Sequence, residues 1–116
     1  MEPTGVVSRN NAEHYKWGQA SDGWHLLKQD DLSVIEELMP PGNFEQLHFH
    51  AKARQLFYIL SGEATFTIGQ TIVHASAGES VHAVATVPHM IANNSDADLR
   101  FLVVSAPKAH GDRIDL

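Results

Sequence analysis

Residues 42–62 read GNFEQLHFHAKARQLFYILSG, and the way this stretch alternates decides the fold. Two histidines, His48 and His50, stand one residue apart in a β-like run, Gln55 follows five residues later, and Gly62 closes the segment. Successive side chains of a strand point to opposite faces, so His48 and His50 share a face, with about 6.7 Å between their Cα atoms. Two imidazoles on one face of a strand can converge on a single metal ion without distorting the backbone. A third histidine, His89, follows Pro88 in the run VPHMIANNS. The spacing predicts a metal site built across at least two strands.

On either side of this stretch the chain reads as short strands separated by turn signals. Residues 24–28 (WHLLK) and 32–39 are split by Gln29-Asp30-Asp31. Pro40-Pro41-Gly42 ends the second of these runs, because proline cannot donate to a sheet ladder. Further strands are expected at 47–50, 56–60, 63–69, 71–75, 80–85, 89–94 and 99–105, with turns at Ser61-Gly62, Gly69-Gln70, Ala77-Gly78-Glu79 and 95–98. About nine short, closely spaced strands without a convincing helix are the signature of an all-β sandwich or barrel. Residues 1–22 are polar and lack a sustained period, so they read as an N-terminal arm ending in a turn at Ser21-Asp22-Gly23. Tyr15 and Trp17 sit in that arm at period-2 spacing, either as an edge strand on the barrel or as an arm packed on a second subunit. Residues 23–106 form the barrel, and the polar segment 107–116 is expected to wrap its outside as a tail.

The chain has 116 residues, enough for one domain with its own core. Its 8 Lys+Arg against 14 Asp+Glu give a formal charge of −6, with no basic stripe for a phosphate backbone, so nucleic acid is not expected as a partner. The absence of cysteine excludes disulfides, thiolate nucleophiles and cysteine-ligated zinc. The first residues, MEPTGVVSRNNAEHYKW, lack the basic start and apolar centre of a signal peptide. The apolar run FLVV at 101–104 is far too short to span a bilayer. A soluble cytoplasmic domain, with no membrane partner, is the expectation.

Gly42, His48, His50, Gln55 and Gly62 fall at the spacing of the first cupin motif, G-x5-H-x-H-x3,4-E-x6-G. Gly78, Pro88, His89 and Asn93 resemble the second motif, with altered internal spacing. The chain therefore resembles a small single-domain cupin. That resemblance implies a double-stranded β-helix (jelly-roll barrel) of two antiparallel sheets, a metal in the barrel mouth and a homodimer. Its ligand set would be His48, His50, Gln55 and His89, around one divalent transition ion (Zn, Ni, Fe, Mn or Cu).

Gln55 stands where the family usually has glutamate. Its carbonyl oxygen can still coordinate but brings no charge, so a divalent ion keeps its full double positive charge. Lower metal affinity, preference for an anionic ligand and high Lewis acidity are the expected consequences. A carboxylate able to serve as general base in cupin dioxygenases is also lost. The same His/His/Gln/His set is similar to that of small cupins that open unsaturated uronates. The expected function is thus Lewis-acid-assisted isomerisation, ring-opening or lyase chemistry on a small, anionic, oxygen-rich, sugar-acid-like molecule. A metal-dependent dioxygenase and a non-catalytic small-ligand-binding cupin are the alternatives.

Parity nominates further residues. Phe57 and Ile59 share the face of Gln55, Ile91 and Asn93 share that of His89, and Phe101 joins them as candidate lining of an apolar substrate pocket. Ordinary barrel core is the competing reading of each, and a turn clamp that of Asn93. His82 is the candidate acid/base group, and Arg54 the candidate guide for an anionic substrate. Lys52 beside Arg54 offsets the acidic surface. Glu36 and Glu37 lie on opposite faces, so only one can point inward. His14 and His110 read as solvated, and His25 and His74 as hydrogen-bonded strand residues.

Overall fold

The computed structural model describes residues 5–109 and 111–116, so the expectation for His110 lies outside the described residues. Eleven strands form among them: β1 Glu13–Trp17, β2 Ser21–Lys28, β3 Ser33–Met39, β4 His48–His50, β5 Arg54–Ser61, β6 Glu63–Ile68, β7 Thr71–Ser76, β8 Ser80–Ala83, β9 His89–Ala92, β10 Leu99–Ala106 and β11 Arg113–Asp115. They build a six-stranded sheet, β1-β2-β3-β10-β5-β8, facing a five-stranded sheet, β11-β4-β9-β6-β7. All pairings within the sheets are antiparallel. This is the double-stranded β-helix that the cupin resemblance implied. The described residues contain no helix, and hence none long and apolar enough to cross a membrane.

Strict alternation explains which face each strand buries. Along β5, Gln55, Phe57 and Ile59 are buried while Arg54, Leu56 and Tyr58 are exposed. Along β10, Leu99, Phe101, Val103 and Ser105 point inward. Phe101 pairs with both Glu37 and Ile59, so β10 carries the core residues at the centre of its sheet. Met39, Phe57, Ile59, Phe66, Ile91, Leu99 and Phe101 form the buried centre. Burying each such side chain contributes about 1.5–3 kcal/mol. At the β5–β6 corner, Gly62 has φ 89° and lies against the Asp98 carbonyl, where an added Cβ would collide. Only glycine fits that turn.

Two stretches differ from the sequence expectation. The segment Ser21-Asp22-Gly23 is strand, and the turn sits earlier, at residues 18–20, where Gly18 has φ 60°. Gly23 is there for space, because its cross-strand partner is Tyr15 and a Cβ on Gly23 would collide with the Tyr15 ring. Of the two readings of Tyr15 and Trp17, the edge strand is the one observed: β1 pairs with β2 over five residues. The C-terminal segment likewise forms an edge strand, β11, paired with β4 through Arg113↔His50 and Asp115↔His48.

Candidate metal centre

β4 and β9 are neighbours, and His48 pairs directly with His89. His50 shares the face of His48, so all three imidazoles enter the barrel together. Ring centroids are 5.0 Å apart for His48–His50, 4.4 Å for His48–His89 and 5.7 Å for His50–His89. One ligand atom from each lies within 4.8 Å of the others. All three rings are buried, as is Gln55 on the facing sheet.

The hydrogen bonds around the rings fix which nitrogen faces the centre. His48 Nδ1 lies 2.7 Å from the Gln46 carbonyl, and His89 Nδ1 lies 3.0 Å from that of Val87. A carbonyl only accepts, so each Nδ1 carries the proton and each Nε2 presents a lone pair. Burial, first of all, pushes the His48 and His50 imidazoles down to about 4 and lowers His89 as well. The Arg113 guanidinium adds to the lowering in all three. Near neutral pH the centre thus holds three uncharged imidazoles.

Gln55 completes the set. Its Nε2 donates to Ser105 Oγ at 3.0 Å, which turns Oε1 toward His89 Nε2, also at 3.0 Å. With the His89 proton on Nδ1, both atoms of that second contact are acceptors. The Gln55 amide and the His89 Nε2 lone pair thus face the same point of the interior. His50 Nδ1 is in addition a buried nitrogen without a hydrogen-bond partner. Three neutral imidazoles and an amide oxygen make a donor set that fits a divalent transition ion.

A second group of polar side chains lies toward the β1–β3 and β11 edges. Tyr15 donates its hydroxyl to Glu37 Oε2 at 3.0 Å. Burial raises Glu37 to about 7, opposed by the Tyr15 hydrogen bond and by Arg113. Glu45 rises to about 8, through burial first and then the nearby Glu37 charge. Arg113 Nη1 lies 3.6 Å from Glu45 Oε2, while its Nε donates to Asp115 at 2.7 Å. Asp112, just before β11, accepts from the backbone amides of Ala51, Lys52 and Ala53, with the shortest bond 2.8 Å, to Ala53. The C-terminal segment therefore holds the loop that follows His50.

The other sequence-nominated residues divide. Phe57 reaches the centre, its ring centroid 6.0 Å from that of His89. Ile59, Ile91 and Phe101 are packed within the hydrophobic core rather than around an open pocket. Asn93 is a turn clamp: it donates to the Met39 and Ala97 carbonyls and accepts from the amide and hydroxyl of Ser95. His82 and Arg54 stand on the outer face of the six-stranded sheet, where Arg54 Nε lies 3.3 Å from His82 Nε2. The physical reason is register: Gln55 pairs with Ala83, so Leu56 and His82 share the opposite face. The structure thus separates both from the histidines. Of the glutamates, Glu37 points inward and Glu36 outward, where it pairs with Arg100 at 2.8 Å and Arg9 at 3.2 Å. Two recesses of about 420 Å³ and 240 Å³ lie elsewhere, the first between residues 5–13 and β2, the second beside Arg54 and His82.

Sequence reasoning missed Tyr15, Glu45, Asp112 and Arg113. The backbone amides of the 51–53 loop, which need an acceptor, were the available signal for Asp112.

With this geometry in hand, comparison with known proteins gives the class. The family model for the Cupin domain matches residues 35–105, and the chain belongs to that family. An oxalate-binding protein of Thermotoga maritima is 35% identical over 85 residues, covering 69% of this chain and 70% of that protein. The chain spans 66% and 70% of the lengths of two of the relatives it matches. The crystal structure of a predicted oxalate decarboxylase from Thermotoga maritima superposes with a TM-score of 0.82 at 24% identity, covering 90% of this chain and 100% of that one. KdgF from Halomonas sp. gives a TM-score of 0.82 at 13% identity, over 90% of this chain and 95% of its own. Both likenesses are of fold.

Proposed function

We propose that this protein is a metal-binding cupin that acts on a small anionic, oxygen-rich metabolite of the sugar-acid type. His48, His50 and His89 would hold a divalent transition ion, with Gln55 Oε1 as the fourth donor. The observation that carries this is the convergence of three buried imidazoles, with one ligand atom of each within 4.8 Å of the others. When bound, such an ion supplies Lewis-acid polarisation of a ligand oxygen. The neutral ligand set favours a negatively charged ligand, because nothing in it offsets the charge of the ion. Arg113, paired with His50 across β4 and β11, adds a second positive group on the same side. Phe57 and the core behind it exclude water from the inner side of the rings.

A purely binding role for a small dicarboxylate is the second reading, favoured by the 35% identity to an oxalate-binding protein. We also infer a homodimer, formed through the outer face of the six-stranded sheet. Leu56 and Tyr58, each 40% exposed there, would supply the apolar centre of that contact.

The test is metal content of protein purified without a nickel column, for wild type and His50→Ala. Near-stoichiometric metal in the wild type, lost in the variant, is expected. Protein that stays metal-free when offered zinc, nickel, iron, manganese and copper would remove the reading. Turnover of an unsaturated galacturonate by loaded wild type, against tight binding of oxalate without turnover, separates the two roles.

A further inference from the structure

The geometry points to Asp112 as the positioning residue of the histidine centre: by clamping the crossover between β4 and β5 it fixes where His50 stands relative to Gln55. Its consequence for the ion rests on the metal-binding reading above; the placement of the ring does not.

Residues 51–53 are all the chain between His50, the last residue of β4, and Arg54, the first of β5. β4 belongs to the five-stranded sheet and β5 to the six-stranded one, so this short crossover sets how His50 and Gln55 face each other across the interior. All three of its amides converge on one carboxylate. Asp112 Oδ1 accepts from Ala51 at 3.1 Å and from Lys52 at 3.3 Å, and Oδ2 accepts from Lys52 at 3.0 Å and from Ala53 at 2.8 Å. The Ala51 amide also reaches the Asp112 carbonyl, at 3.3 Å. Successive amides aimed at one point form an anion-binding concavity. Here the anion belongs to the chain itself, 59 to 61 residues downstream of the amides it holds.

His50 is the histidine that needs such a clamp. His48 and His89 each have a ring nitrogen pinned to a backbone carbonyl. His50 Nδ1 is buried without a hydrogen-bond partner, so this ring goes where its backbone takes it. On one side, β4 pairs with β9 only at His48↔His89, and the Thr86 amide reaches the His50 carbonyl at 2.8 Å. Thr86 makes that bond from φ 71°, a left-handed conformation that a β-branched side chain resists. On the other side, Arg113 pairs with His50, and Asp112 stands immediately before that pair. Hydrogen bonds to an ionised carboxylate are about twice as strong as neutral ones, so the firmer hold is on the Asp112 side.

Removing the carboxylate hands three amides to water and frees the crossover to re-aim His50. Asparagine keeps one accepting oxygen but turns an NH2 group toward the remaining donors, so it restores only part of the clamp. Metal affinity should fall in the order wild type, Asp112→Asn, Asp112→Ala.

The test titrates Co(II) into the full-length protein and reads both affinity and the visible bands that report coordination geometry. Asp112→Ala should bind about 10–100-fold more weakly than wild type, with altered bands, and Asp112→Asn should fall between them. Asn93→Ala breaks a turn away from the histidines and should keep wild-type affinity and bands. In metal-free protein with ¹⁵N-labelled histidine, the ring resonances of His50 are identified by their absence in His50→Ala. They should move in Asp112→Ala, and less in Asp112→Asn, while those of His48 and His89 stay. Unmoved His50 resonances, or affinity in Asp112→Ala within about twofold of wild type, would overturn the assignment. An equal loss of affinity in Asn93→Ala would overturn it too, because lost stability would then explain both. Should Asp112→Ala not fold, Asp112→Asn against wild type makes the same comparison. Wild type that takes up no Co(II) would remove the metal-binding reading alone, and the His50 resonances would then decide the role of Asp112.

Discussion

Replacing Tyr15 by Phe removes one atom from the interior, and its cost should depend on pH in a defined direction. The hydroxyl donates to Glu37 Oε2 at 3.0 Å, and burial pushes the Glu37 carboxyl up from its ordinary 4.5 to about 7. Raising the folded pKa of a carboxyl means the folded chain holds a proton that the unfolded chain has lost. The contribution of Glu37 to folding is therefore fully present below about 4.5 and is lost as pH rises through about 7. Above that point the Tyr15 hydroxyl faces a buried carboxylate, and a hydrogen bond to a charged group is worth about 1.5–3 kcal/mol. Below it the bond joins neutral groups and is worth about 0.5–1.5 kcal/mol. For 116 residues the unfolding entropy is near 0.24 kcal/mol/K, so each 1 kcal/mol lowers Tm by about 4 °C. Tyr15→Phe should thus melt about 6–12 °C below wild type at about pH 8.5, and only about 2–6 °C below it at about pH 5.5. The ring, seated over Gly23, is retained, so packing does not contribute. Calorimetry at the two pH values decides. Equal shifts, or a larger one in acid, would refute the assignment of a charged partner.

Two further outcomes follow from the same interior. Because burial holds His48 and His50 near 4, protons compete for these nitrogens only in strong acid. Dialysis against buffers of falling pH should leave metal content unchanged down to about pH 5, with loss below that; release near pH 6.5, the range of a solvated histidine, would contradict the burial argument. Asn93→Ala strips partners from the Met39 and Ala97 carbonyls and from Ser95. A loss of about 3 kcal/mol, or roughly 12 °C in Tm, is expected without change in metal content, and a shift under 3 °C would show that water replaces the clamp.

The pleat made the triad legible. His48 and His50 had to share a face because they are two residues apart in a strand, and nine of the eleven strands lie where turn residues and apolar runs placed them. Local pattern could not give register. Whether His82 looks into the barrel depends on which residue of β5 it opposes, and Leu56↔His82 puts it outside. Gly23 looked like a turn because glycine usually marks one; its real neighbour is an aromatic ring eight residues earlier. Arg113 was illegible for a stronger reason. It meets Glu45 across nearly seventy residues of chain, and nothing in its polar surroundings RIDL announces a strand.

The matched family region runs from 35 to 105, and it contains all three histidines and Gln55. Tyr15, Asp112 and Arg113 lie outside it, on or beside the edge strands β1 and β11. The three histidines and Gln55 thus lie on the barrel strands, while part of their electrostatic setting is contributed from β1 and from the segment around β11. Chains with an identical histidine motif need not share a reaction, and those that share a reaction should be sought by comparing their edge strands.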